Sequence, residues 1–249
     1  GNADITIAIV GLIPVLEGEA GDAFLSESGG DRKNLSLPPS QLAFLKALRQ
    51  AVHHPIIVVV TGGSAVDIDA IQPYADAILL AWYPGEQGGH ALADLLLGKR
   101  SPSGRLPVTF YHSVNDLPPF DNYHMQGRTY RYFEGPVQYP FGYGLSYTTF
   151  SYKALPWTAD TYHTDDTLRA SCLLTNAGKY NADEVVQGYI RYPSGKELPL
   201  KELKYVKRVS LNPGESKKAE VVIPVNELMK WNSRHQQEEL VPGTYTLII

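Results

Sequence analysis

A chain of 249 residues holds one large domain or two ordinary ones, and at 43% apolar and 19% charged it has material for a core and is not disordered. The net charge of -4 and the absence of a basic stripe argue against a nucleic-acid partner, and no signal peptide or membrane span is visible. A single cysteine, Cys172, excludes an intrachain disulfide and a metal–thiolate cluster.

The first half alternates strand and helix signals. Ile5 to Val10 reads as a buried strand, followed by an acidic stretch with Glu17, Glu19 and Asp22 and then Gly30-Asp31-Arg32. Pro38-Pro39-Ser40 precedes a helix with Leu42, Leu45 and Leu48 on one face. Ile56 to Val60 is a second buried strand, ending in Thr61-Gly62-Gly63-Ser64, and Val66 to Ile71 is expected to be a short helix. Ala77 to Ala81 is a third strand, ending at Trp82-Tyr83, and Gly88 to Leu97 is a helix packed through Leu92, Leu95 and Leu96. This order favours parallel strands with crossover helices, and the three strands look too apolar to expose either face.

From Gly104 to Phe150 helical periodicity is lost, and Gly, Pro and aromatic residues are dense, as an ordered connector requires. Beyond Ser151 the pattern is all-β. Leu168 to Leu174, Val185 to Tyr192, Tyr205 to Leu211, Ser216 to Ile223 and Thr244 to Ile249 are short strands separated by turns such as Asn212-Pro213-Gly214. Such spacing suggests an immunoglobulin-like sandwich, with Cys172 buried in one strand.

Acids and an arginine gather where the first buried strand ends, the edge at which open α/β sheets present binding residues. Glycosidic cleavage commonly uses two carboxylates, one donating a proton to the leaving oxygen. Glu17 and Glu19, two residues apart in an extended loop, can approach one site; a solvated acidic loop is the plain alternative. Arg32 can pair with Asp31 in a turn or orient a glutamate through a bidentate contact, and Asp31 can reach sugar hydroxyls if it faces inward. Trp82, Tyr83 and Glu86 follow a sheet strand and can line a cleft or serve the core. Thr61-Gly62-Gly63-Ser64 lacks the lysine and glycine pattern of a phosphate loop and reads as a strand-to-helix turn. No dinucleotide fingerprint is present, and the seven histidines show no ligand spacing, so neither a cofactor nor a metal is expected. Arg128, Tyr130, Arg131 and Tyr132 form either an interface patch or stacking and ion pairs within the connector.

Several segments together resemble the C-terminal half of glycoside hydrolase family 3, the β-glucosidase and β-xylosidase family. They are GLIPVLEGE, GGDRKNLSLPPSQ, AWYPGEQGGHALADLLLGKRSPSGRLPVTF, TYRYFEG, YPFGYGLSYTTF and EVVQGYIRYPSGKELPLKELKYVKRVSLNPGES. The resemblance implies an α/β/α sandwich domain over residues 1–117, the connector over 118–150, and a fibronectin type III-like β-sandwich over 151–249. It implies an N-terminal barrel, absent here, that carries an aspartate nucleophile. The general acid/base would be Glu17, with Glu19 as the close second, and Asp31, Arg32 and Trp82 would contribute to substrate binding. The LEGE form of the loop is similar to xylosidase-like and broad-specificity members. The partners implied are a β-linked oligosaccharide or glycoside and the barrel, with a homodimer through uncovered apolar surface as a further expectation. The chain alone is expected to be almost inactive, and a periplasmic or secreted setting suits the family. Two other readings compete: a carbohydrate-binding or scaffold module without catalysis, and part of a glycoside phosphorylase, for which no phosphate cradle is visible.

Overall fold

A computed structural model describes residues 3–18, 31–157, 159–195 and 198–249. The chain divides into two compact units, one comprising residues 1–96, 108–127 and 134–141, the other 97–107, 128–133 and 142–249.

The first unit is built on three parallel strands in the order β1 (Thr6–Gly11), β2 (Ile56–Thr61) and β3 (Ala77–Trp82). A single helical turn, α1 (Pro14–Glu17), follows β1, with proline at its start, where the missing N–H costs nothing. Gly18 then turns the chain away with φ 82°, a conformation glycine adopts without penalty. Helix α2 (Pro39–Ala51) buries Leu45 and joins β1 to β2; α3 (Gly88–Leu96) follows β3. Gln41, in the first turn of α2, bonds both the N–H and the carbonyl of Gly11 at 2.8 Å. A Cβ at Gly11 would lie 2.0 Å from the carbonyl oxygen of Thr61, so only glycine closes this strand end.

Burial departs from the expectation that all three strands are covered on both faces. Central β2 is buried on both, through Ile56, Val58, Val59 and Val60. Edge strand β1 buries Ala8 and Val10 but leaves Ile7 at 49% and Ile9 at 66% exposure. Apolar alternate residues require a covering layer to become core, and no described element covers this side of β1. The helix expected over Val66–Ile71 is also absent: this stretch is a turn leading into a 3-10 turn at Gln72–Tyr74. Its backbone donors are taken elsewhere. The Ile68 N–H goes to the Gln138 side chain at 2.8 Å, and the Asp67 N–H to the Leu35 carbonyl at 2.8 Å.

The second unit is a β-sandwich. One antiparallel sheet has the order β4 (Phe150–Ala154), β5 (Thr167–Asn176) and β8 (Ser216–Pro224). The other has the order β11 (Thr246–Ile248), β6 (Ala182–Arg191) and β7 (Glu202–Leu211). A small hairpin pairs β9 (Lys230–Asn232) with β10 (Gln237–Glu239). Alternate residues of β5 and β6 point inward into two buried clusters, one with Leu168, Ala170, Ile190, Val221 and Ile223, the other with Cys172, Leu174, Val186 and Leu211, and half-buried Tyr205 packs against both. Cys172 is 3% exposed, and burial pushes its thiol up from the ordinary value.

Polar groups inside the sandwich are paired. The Asn176 side chain accepts from the Thr148 hydroxyl at 2.6 Å and donates to the Tyr180 and Leu211 carbonyls at 2.8 and 3.1 Å. Buried Glu202 meets Lys230 at 2.6 Å, Lys204 at 3.3 Å and Arg131 at 3.4 Å, and accepts from Tyr192 at 2.6 Å. Burial pushes the Glu202 carboxyl up, but the Lys230 and Tyr192 hydrogen bonds and the lysine charges outweigh it and bring it to about 2. Arg131 sits in the short helix α4 (Thr129–Tyr132), and the Tyr130 hydroxyl accepts from the Leu203 N–H at 3.1 Å. Ion pairing and hydrogen bonding inside one unit therefore account for Tyr130 and Arg131 of the sequence patch.

Candidate active site

Three strand ends of the first unit bring together residues that are far apart in sequence. In a parallel sheet all C-terminal ends lie on one edge, so the segments leaving β1, β2 and β3 converge. Glu17 closes the helical turn after β1. Gly63 and Ser64 come after β2, and Tyr83 after β3.

One oxygen of the Glu17 carboxylate, Oε2, accepts the Gly63 N–H at 3.0 Å and the Tyr83 hydroxyl. The other, Oε1, accepts the Ser64 hydroxyl and faces Arg32 Nη1 at 3.8 Å. Arg32 also donates to Ser64 Oγ at 2.8 Å and to the Ala65 carbonyl at 3.4 Å. Arg32 thus orients a glutamate, through one nitrogen and a shared serine rather than a bidentate fork.

The Glu17 side chain is 16% exposed. Burial pushes its carboxyl up, yet the hydrogen bonds from Ser64, Tyr83 and Gly63 and the Arg32 charge hold it below the ordinary glutamate value. Burial and the adjacent carboxylate push the Tyr83 phenol up to about 12, so it remains a donor across the working pH range. Backbone geometry makes room for these contacts. A Cβ at Gly63 would lie 2.8 Å from the Tyr83 ring and 3.0 Å from the Glu17 carboxylate. The register of β2 and β3 shifts between Val60 and Thr61, and Trp82 there has φ 55°.

The other residues singled out in sequence take different places. Trp82 packs edge-on against buried Phe110, with ring centroids 6.3 Å apart. Asp31 is exposed beside Arg32, and Glu86 is exposed after β3. Glu19 lies outside the described residues. Ser64 and Gly63, read from sequence as parts of a plain turn, are two of the four contacts on Glu17; the one sequence signal for them is their position just after a buried strand. Among the described residues no cluster of three or more His, Cys, Asp or Glu side chains is placed to hold a metal, and no helix is long and apolar enough to cross a membrane.

Residues 1–147 match the glycosyl hydrolase family 3 C-terminal domain, and residues 184–249 match a fibronectin type III-like domain. The chain is 39% identical over 240 residues to a xylan 1,4-beta-xylosidase of Xylanibacter ruminicola, a match covering 96% of this chain and 27% of that protein. It is 34% identical to a periplasmic beta-glucosidase of Salmonella typhimurium, with 100% of this chain and 33% of that protein covered. A beta-glucosidase structure from Bifidobacterium adolescentis superposes with a TM-score of 0.82 at 31% identity, covering 99% of this chain and 37% of that one. The chain therefore spans about a third of the length of the curated relatives it matches.

Proposed function

Since this chain belongs to glycosyl hydrolase family 3, we propose that it is the C-terminal part of a retaining β-glycosidase that removes terminal, non-reducing β-linked glucose or xylose. In this reading the chain supplies the acid/base carboxylate, from Glu17 with Glu19 as the close second. A preceding barrel supplies the aspartate nucleophile and most of the sugar subsite. Departure of the aglycone then requires a proton from this chain, and hydrolysis of the covalent glycosyl intermediate requires the same group to take a proton from water. Asp31 and Trp82 are proposed to contribute to the substrate region beside it, Arg32 by ordering Glu17. A periplasmic or secreted setting goes with this reading, and one relative is named for the periplasm.

The observation that carries the proposal is the gathering of Glu17, Arg32, Ser64 and Tyr83 at the C-terminal edge of the sheet. In an open α/β sheet that edge is where chemistry is placed. The test is hydrolysis of aryl β-glucosides and aryl β-xylosides by this chain, alone and combined with its preceding barrel. Turnover only in the combined protein, impaired by substitution within Glu17–Glu19, is the expected result. Full turnover by the isolated chain, or none by a verified whole protein, would overturn it.

A further inference from the structure

A bulky side chain is a poor occupant of left-handed backbone, because its Cβ crowds the neighbouring carbonyl oxygen. Trp82 nonetheless has φ 55°. It sits at a break in the ladder between β2 and β3: Val60 faces Leu80 and Thr61 faces Trp82, so Ala81 is one residue too many for the register. Such bulges re-aim the side chains beside them. The next residue is Tyr83, whose hydroxyl donates to Glu17. Pro84 follows, and a residue before proline is pushed toward extended backbone. Tyr83 therefore has little backbone freedom of its own, and its direction is set one residue earlier.

Strained backbone persists only where the surroundings over-determine it. Two contacts do so at Trp82. Its carbonyl accepts the Gly62 N–H at 3.2 Å. Its ring meets Phe110 edge-on, with centroids 6.3 Å apart. Phe110 is fully buried, and its backbone is pinned: its N–H donates to the Tyr139 carbonyl at 2.9 Å, and its carbonyl accepts the Gln138 N–H at 2.8 Å. Space is kept clear at the far end too, where a Cβ at Gly63 would lie 2.8 Å from the Tyr83 ring.

We propose that Trp82 is a positioning residue: its ring, held against Phe110, maintains a left-handed backbone that aims Tyr83 at Glu17. Its contribution to the substrate region is then made through Tyr83 and not by touching sugar. The consequence for turnover rests on the glycosidase reading above; the aiming of Tyr83 does not.

Two measurements test the proposal, and the first does not depend on activity. The 249-residue chain is labelled with 3-fluorotyrosine and titrated by fluorine NMR, the Tyr83 resonance being the one lost in Tyr83→Phe. With burial and the Glu17 carboxylate pushing this phenol up, its midpoint should lie above that of free fluorotyrosine. Trp82→Ala should bring it down to the free value, and the Glu17 carboxyl, having lost a donor, should titrate at higher pH by carbon-13 NMR. Trp82→Phe keeps a ring against Phe110 and should leave both midpoints near wild type. Trp82→Leu fills the space without a ring and is read in place of Trp82→Ala if the smaller residue prevents folding. Unmoved Tyr83 and Glu17 midpoints in the folded variant, or a wild-type Tyr83 midpoint already at the free value, would overturn the proposal. The second measurement uses the whole enzyme with aryl β-glucosides and aryl β-xylosides. Trp82→Ala should lower kcat by up to about 10²-fold, the cost of misplacing a group by about 1 Å, with KM little changed. Tyr83→Phe should add little on top of it. A raised KM with kcat intact would make Trp82 a sugar contact and end the proposal. A wild-type enzyme inert toward both substrates would instead defeat the glycosidase reading, while the fluorine titration would still decide the role of Trp82.

Discussion

The two units bury apolar strands by opposite means. In the sandwich, each sheet is the other's cover: inward residues of β5 and β6 meet in two buried clusters with Tyr205 packed against both, and polar groups that enter them arrive with partners. In the α/β unit, central β2 is closed on both faces while edge strand β1 is closed on one. The same kind of residue thus has different worth in the two units. Isoleucine and leucine supply stability in the sandwich, and at Ile7 and Ile9 they supply unused contact surface. Charge is handled differently too. Glu202 is held by three cations as part of a packed interior, whereas Glu17 is held mostly by hydroxyls and a backbone N–H at a sheet edge.

The contrast can be broken at its strongest point first. Leu174→Ala, at a fully buried sandwich position, should cost about 2–5 kcal/mol in denaturant unfolding. Lys230→Met removes the nearest charge from Glu202 while Lys204 and Arg131 remain, and should cost about 1–3 kcal/mol. In the unaltered protein the depressed Glu202 value means that its stabilisation is complete above the ordinary glutamate range. It is lost as pH falls from there toward about 2. Acid unfolding of the sandwich should therefore begin at higher pH in Lys230→Met, as followed by tyrosine fluorescence. Tyr83→Phe, which removes one donor from Glu17, should cost about 1 kcal/mol in the α/β unit and leave the sandwich unchanged by hydrogen exchange. Ile9→Lys should stay within about 0.5 kcal/mol of wild type. It should, however, lower concentration-dependent self-association in sedimentation velocity if the open face of β1 is sticky; unaltered association would show that this face is not the contact.

Much of this architecture is written locally. Period-two burial in TLRASCLLTN and ADEVVQGYIR foretells the inward faces of β5 and β6, and the Pro38-Pro39 pair marks the start of α2. The misread stretch, Val66–Ile71, has helix-compatible residues, but Gln138 captures Ile68 N–H and Asp67 from about seventy positions away. No window of sequence contains that competition. The site divides along the same line. Glu17 and Arg32 stand out as charges after an apolar strand. Ser64 and Tyr83 become their partners only because β1, β2 and β3 run parallel and end together.

Cys172 gives the sandwich a clock of its own. A thiol that is enclosed between two sheets and pushed away from its reactive thiolate form is silent toward alkylating reagents while the sheets are closed. Being the single cysteine of the chain, it would report every labelling event from one place. When reclosing outpaces the reagent, the labelling rate measures the fraction of time the sandwich spends open. The opening of one unit can then be timed in the intact protein with no contribution from the other.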